Sequence, residues 1–116
     1  MPEYEPFCCV VERTDGRATV RLGGELDLAG VPELEAAITA TADAQALVLD
    51  LSGLTFIDSS GMRLLLSLNA SVQERGQSFE VVPGSENVQR TFELAGLLDR
   101  LPFQRPEGSS SASGSG

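Results

Sequence analysis

The chain has 116 residues, of which 41% are hydrophobic, and this is typical of one globular domain of about 100 residues with its own core. Its formal net charge of −9 argues against binding to nucleic acid or to an anionic membrane, because both need a basic footprint on the protein. The acidic balance is equally consistent with a well-solvated surface and with a basic protein partner.

The first third of the chain predicts an antiparallel strand pair followed by a helix. Strand-like runs cover Phe7 to Arg13 and Arg17 to Leu22, and the Asp15-Gly16 pair between them is typical of a hairpin turn. A helix is predicted from about Gly30 to Ala42, because Pro32 suits a first turn and apolar residues recur at helical spacing.

The middle of the chain predicts a buried strand and a second helix. The strand runs from about Ala46 to Leu51 and is almost wholly apolar. Since a strand, a helix and a strand follow one another, we expect the two strands to be parallel with a right-handed crossover. The second helix begins at Ser59 or Ser60 and runs to Arg75, where Gly76 is suited to end it.

The last third predicts a short strand, Ser78 to Val82, and a third helix, Glu86 to Ala95, for which Ser85 is the expected cap. Residues 1–105 are therefore predicted to form one α/β domain of order β-β-α-β-α-β-α, with a mixed sheet of about four to five strands and helices mainly on one face. A flexible Ser/Gly-rich tail is predicted at residues 106–116. The predicted core contains Val10, Val20, Leu22, Leu34, Ile38, Val48, Leu51, Phe56, Leu65, Val72, Val81 and Phe92.

A group of polar residues stands where the second helix should begin. Two hydroxyls, Ser59 and Ser60, follow the carboxylate of Asp58, and a helix N-terminus is suited to hold a phosphate. Asp27 follows the second strand, and parallel strands would bring it to the same sheet edge as Asp58. Open α/β sheets usually place their contact surface at that edge.

A purely structural role explains part of this pattern. Asp58 or Ser59 could simply cap the helix, and Asp27 could shape a turn. Three capping candidates in a row exceed what one helix needs, however, and Gly61 is unfavourable in a first turn unless a partner must approach closely. The apolar run that begins at Met62 could likewise leave side chains exposed for a partner, or the C-terminal segment could cover them. Arg63 is interpreted as a solvated charge.

The residue types that are missing argue against catalysis. The sequence contains no His, which excludes a Ser-His-Asp triad and His-ligated metal. All eight basic residues are Arg, which excludes a lysine Schiff base and a phosphate-binding loop that depends on lysine. The adjacent Cys8 and Cys9 cannot build a disulfide framework or a zinc site. We therefore predict a binding protein rather than an enzyme, with no cofactor and no metal, located in a reducing cytoplasm because no signal peptide or membrane span is recognisable.

Three segments resemble a known family. These are GELDLAGVPELEAAI from Gly24 to Ile38, VLDLSGLTFIDSSGMRLLL from Val48 to Leu66, and FELAGL from Phe92 to Leu97. They resemble the STAS domain, and most closely the bacterial anti-sigma factor antagonists. The likeness extends from Phe7 to Phe103, and the pairing of the upstream GELD with D-S-S-G makes it specific.

The resemblance implies a partner-switching function. In that family the first Ser of D-S-S-G, here Ser59, is phosphorylated by the anti-sigma factor, a serine kinase that uses ATP and magnesium. The unphosphorylated antagonist binds this kinase and releases a sigma factor, and a phosphatase restores the binding form. Asp27, Asp58, Ser60, Gly61 and Met62 would belong to the partner surface, with Ser60 as the alternate phosphorylation site.

The same resemblance leaves a second function open. The chain could be a non-switching STAS subunit of a stress-signalling or lipid-transport complex, with the same fold but no kinase. In either case we expect a monomer or weak dimer that binds neither DNA nor membrane.

Overall fold

The elements of the protein follow the predicted order. A computed structural model describes residues 5–104, so the predicted tail at residues 106–116 lies outside the described range. The strands are β1 Cys8–Thr14, β2 Arg17–Leu26, β3 Ala46–Ile57 and β4 Ser78–Val82, and the helices are α1 Val31–Ala40, α2 Ser59–Glu74 and α3 Glu86–Leu94. A short 3-10 turn, Leu28–Gly30, precedes α1. Within residues 5–104, no helix is both long and apolar enough to cross a membrane.

The four strands form one mixed sheet in the order β1-β2-β3-β4. β1 and β2 pair antiparallel, whereas β3 is parallel to both β2 and β4. The predicted hairpin turn is confirmed, since Asp15 and Gly16 both have positive φ, 51° and 81°, as a tight two-residue turn requires. The expected α/β fold with a mixed sheet is therefore confirmed, with four strands.

The core lies between one face of this sheet and the helices. Val20, Leu49 and Val81 are neighbours across three strands, and each is 0% exposed. Leu34 of α1 and Phe92 of α3 belong to the same buried cluster. The opposite face mixes apolar and polar side chains, among them Val10 and an ion pair between Arg21 and Asp50.

Two residues of the predicted core are exposed, which corrects that part of the prediction. Val10 is 54% exposed because it lies in the edge strand opposite Arg21, on the face that no helix covers. Phe56 is 44% exposed because the alternation of inward and outward side chains breaks down near the end of β3. Val48 is buried but lies outside the main cluster, and Ile38 is only half-buried against it.

The parallel strands continue further than their apolar runs predict. β3 extends to Ile57 instead of ending near Leu51, and β2 extends to Leu26 instead of Leu22. Glycines allow this, because Gly23 and Gly53 are neighbours in the two strands. A side-chain carbon on Gly53 would lie 2.7 Å from the Leu22 carbonyl oxygen, so only glycine permits this close approach.

Candidate functional site

The two acidic loops meet at one edge of the sheet, as the predicted topology requires. The last residues of β2 and β3, Leu26 and Ile57, are neighbours in the parallel ladder. The Asp58 backbone N–H donates a hydrogen bond to the Leu26 carbonyl at 3.1 Å. Asp27 and Asp58 therefore follow adjacent strand ends, and we call the segments 27–31 and 58–64 the rim.

Both rim carboxylates act as helix caps. Asp58 precedes α2, and its Oδ1 accepts a hydrogen bond from the Gly61 backbone N–H at 3.0 Å. Asp27 precedes the 3-10 turn, and its Oδ1 accepts a hydrogen bond from the Ala29 backbone N–H at 3.1 Å. Each carboxylate satisfies a backbone donor that the helix itself leaves unpaired. The structural roles that the sequence allows, a helix cap at Asp58 and a turn at Asp27, are thus observed.

The two serines differ in their access to solvent. Ser59 is the first residue of α2 and is exposed, whereas Ser60 is half-buried. Because Asp58 supplies the cap, neither hydroxyl is needed to start the helix. An exposed hydroxyl beside the first backbone N–H groups of a 16-residue helix can accept a phosphate without disturbing the core.

Gly61 and Met62 lie inward and not on the accessible surface. A side-chain carbon on Gly61 would lie 2.8 Å from Leu26 Cγ and 2.9 Å from Ile57 Cγ1. Internal packing is therefore sufficient to explain this glycine without a partner's close approach. Met62 is only 9% exposed and belongs to the core cluster, so both residues have little surface for a direct contact.

Two neighbouring depressions lie along α2. The rim pocket has a volume of about 260 Å³ and lies between the 3-10 turn and the start of α2. The groove has a volume of about 360 Å³ and lies farther along α1 and α2. Leu28 and Val31 line one wall of the rim pocket, and Ser60, Arg63 and Leu64 line the other. Leu28 is 69% exposed, so an apolar side chain stands in solvent next to polar groups. Such a combination suits contact with a protein surface.

The rim pocket and the groove form one continuous depression between α1 and α2. Three residues, Glu35, Leu64 and Ser67, line both parts. Leu64 is only half-buried, which agrees with the expectation that part of the apolar run on α2 is accessible. The neighbouring Leu65 and Leu68 are buried, so the accessible fraction of that run is small.

Leu28 lines the site although its sequence context does not predict this. A single Leu after Asp27 has no periodic pattern, and its exposure follows from the short 3-10 turn that places it outside the core. Arg63, which the sequence predicts to be a solvated charge, lines the same pocket as Ser60.

The described residues offer no evident place for a metal. Within residues 5–104, no group of three or more His, Cys, Asp or Glu side chains is arranged to hold one. Cys9 lies on β1, where burial and the Glu33 carboxylate raise the pKa of its thiol. The chemistry that the rim itself offers is two hydroxyls, two carboxylates that act as helix caps, one guanidinium and a partly apolar pocket.

Comparison with known proteins identifies related sequences. The family model described as "Mlab, STAS domain" matches residues 9–102, which is well over half of the chain. An anti-sigma-B factor antagonist of Staphylococcus aureus strain NCTC 8325 is 29% identical over 84 residues, covering 71% of this chain and 78% of that protein. An anti-sigma-B factor antagonist of Staphylococcus epidermidis is 28% identical over 84 residues, with the same coverage.

Solved structures agree with these sequence matches. The crystal structure of an anti-sigma factor antagonist from Mycobacterium paratuberculosis superposes with a TM-score of 0.73 and 28% identity, covering 97% of each chain. The unphosphorylated form of the anti-sigma factor antagonist SpoIIAA superposes with a TM-score of 0.70, covering 91% of this chain and 96% of that one. At 22% identity this second likeness concerns the fold alone. The fold and the family match together show that the chain belongs to the STAS domain family.

Proposed function

We propose that the protein is an anti-sigma factor antagonist whose binding is switched off by phosphorylation of Ser59. In its unphosphorylated form it binds a serine-kinase anti-sigma factor through the rim, and this binding releases a sigma factor. The kinase transfers phosphate from ATP to Ser59, the complex dissociates, and a phosphatase restores the binding form. The protein itself is regulatory and catalyses no reaction.

One observation supports this function above the others. Ser59 is an exposed hydroxyl at the N-terminus of α2 that has no capping duty, because Asp58 already performs it. The helix N-terminus tolerates negative charge, so a phosphate there should leave the fold intact. The related antagonists from Staphylococcus and Mycobacterium carry names that agree with the proposed role. SpoIIAA, which shares the fold, has been solved in a phosphorylated form.

The switch would act at the surface. A phosphate adds a charge of about −1.5 to −2 at pH 7 and brings a strongly hydrated group to the rim. A partner seated on Leu28 and the rim pocket would then meet added bulk, a changed charge and the cost of removing water from the phosphate. This mechanism requires no rearrangement of the core.

The test combines phosphate mapping with binding. The protein is incubated with ATP, magnesium and serine-kinase anti-sigma factors from the same genome, and peptides are mapped by mass spectrometry. We expect one phosphate on Ser59, none in Ser59→Ala, and unchanged mapping in Ser60→Ala. Phosphorylation of Ser59→Ala at its normal level would show that the site assignment is wrong.

A charge mimic tests the effect on binding. Ser59→Asp should weaken kinase binding while the melting temperature changes little, and Ser59→Ala should stay in the binding form. Ser78→Asp is the matched control, because Ser78 is exposed at the start of β4 and therefore at the opposite edge of the sheet. Equal losses of binding for Ser59→Asp and Ser78→Asp would indicate a general charge effect and contradict a local switch.

A non-switching STAS subunit is the second candidate. The capping bonds of Asp27 and Asp58 are compatible with it, because they lie within the fold and require no kinase. Binding of a partner without phosphate transfer to Ser59 would support this function over the switch.

A further inference from the structure

Arg63 occupies a distinctive position on the rim. It lies on α2 four residues after Ser59 and three after Ser60, and it lines the rim pocket together with Ser60. Its side chain is exposed. Residues four apart on a helix are neighbours, with side-chain carbons about 5–6 Å apart. Helical side chains also lean toward the helix N-terminus, which directs Arg63 toward Ser59.

Arg63 makes no ion pair within the part of the chain that the structure describes. The ion pairs there join Arg13 to Asp43 and Arg21 to Glu12 and Asp50. Arg63 therefore needs no existing contact to be broken before it can bind an anion. A guanidinium is also the side chain best suited to hold a phosphate, because it can donate two parallel hydrogen bonds.

We propose that Arg63 is the residue that holds the phosphate of phosphorylated Ser59. The guanidinium donates hydrogen bonds to the phosphate oxygens across one helical turn. The phosphate is then fixed over the mouth of the rim pocket, where it covers Leu64 and competes with any partner for the cation. Arg63 acts here as a positioning residue, and this inference rests on the proposed phosphorylation of Ser59.

Nearby carboxylates make the pairing measurable. Asp27 and Asp58 of the rim and Glu35 of the pocket favour the singly charged phosphate, whereas a paired Arg63 favours the doubly charged form. The pKa of the second phosphate ionisation therefore reports whether the pair forms. All three carboxylates are retained in every variant used for the test.

The test begins with protein carrying phosphoserine at position 59, installed during synthesis so that no kinase is needed. The second ionisation of the phosphate is titrated by phosphorus NMR in the parent, Arg63→Gln, Arg63→Lys and Arg75→Gln. Arg75→Gln is the matched control, because it removes the same charge from the other end of α2, about 24 Å along the helix. That distance exceeds the screening length of about 8 Å at physiological salt.

We expect Arg63→Gln to raise the phosphate pKa by about 0.15–0.4 pH unit, the shift that corresponds to an exposed i,i+4 ion pair. Arg63→Lys should restore part of the shift, and the Arg63 Nε–H resonance should move only in the phosphorylated parent. Equal pKa values in Arg63→Gln and Arg75→Gln would overturn the proposal. Failure of every kinase to phosphorylate Ser59 would instead refute the proposed function, and it would leave this measurement unaffected.

Discussion

Replacing Gly61 by Ala distinguishes internal packing from partner contact as the reason for this glycine. The added carbon would lie 2.8 Å from Leu26 Cγ and 2.9 Å from Ile57 Cγ1, and both of those side chains are buried in the core. Overpacking of this kind costs about 1–3 kcal/mol. Ala improves helix propensity by up to about 1 kcal/mol over Gly, which offsets part of that cost.

The expected net loss for Gly61→Ala is about 1–2 kcal/mol in the free energy of unfolding. For a domain of this size that corresponds to a melting temperature lower by about 5–15 °C. The assay is urea unfolding followed by circular dichroism, with the slope against urea checked to remain constant. Ser67→Ala, at an exposed position of α2, is the control and should stay within about 0.5 kcal/mol of the parent.

A double mutant tests the mechanism. In a Leu26→Ala background the clash with Leu26 Cγ is removed, so Gly61→Ala should cost less there by at least about 1 kcal/mol. A neutral or stabilising Gly61→Ala in the parent would refute the packing argument. If such a variant folded normally and lost only kinase binding, the sequence-based explanation of a partner's close approach would be correct after all.

Three further predictions concern caps, exposure and thiol chemistry. Asp58→Ala should lower stability by about 1 kcal/mol through loss of the α2 cap, measured by thermal unfolding; no change would mean that a serine takes over the cap. Phe56→Ser should cost about 1 kcal/mol or less, whereas Leu54→Ala, at a site only 2% exposed, should cost about 2–5 kcal/mol. In a Cys8→Ser variant, Cys9 should react with iodoacetamide at pH 8 more slowly than a model thiol, because its raised pKa lowers the thiolate fraction. The reaction rate should increase as the pH rises. A rate equal to that of the model thiol would contradict this prediction.

An acid titration provides the remaining prediction. The Arg13 guanidinium hydrogen-bonds to Asp43 and lowers the pKa of that carboxyl. A lowered pKa in the folded state adds stability above the unfolded value and loses it as the pH falls below about 4. Because the pair is exposed, Asp43→Asn should change stability at pH 7 only slightly, and its difference from the parent should vanish at low pH. A difference that grew on acidification would contradict this assignment.

Local signals predicted much of the fold. The Asp15-Gly16 turn, the Ser85 cap and the glycine stop at position 76 depend on backbone chemistry within a few residues, and all three are observed. Each of these signals consists of residue types that strongly favour one local conformation, a turn or a helix cap. The parallel pairing of β2 and β3 then followed from their connection, because a helical crossover favours parallel strands.

Features that depend on distant residues were not predictable in the same way. The length of β3 depends on the close approach of Gly53 to the Leu22 carbonyl, which a single-strand pattern does not reveal. The exposure of Val10 depends on which sheet face the helices cover. At the site, the convergence of Asp27 and Asp58 followed from topology, whereas the packing role of Gly61 required the side chains of two other strands.

The packing of Gly61 also separates recognition from folding at the rim. Leu28 and Arg63 point outward, and other side chains at these two positions would leave the core contacts of Leu26 and Ile57 in place. A combinatorial library confined to positions 28 and 63 could therefore be selected for new partners in cells without a parallel selection for folding. If the library also varied Gly61, many of its members would be destabilised, because larger side chains there would clash with Leu26 and Ile57. The rim therefore combines a surface that can vary with a packed position beneath it that cannot.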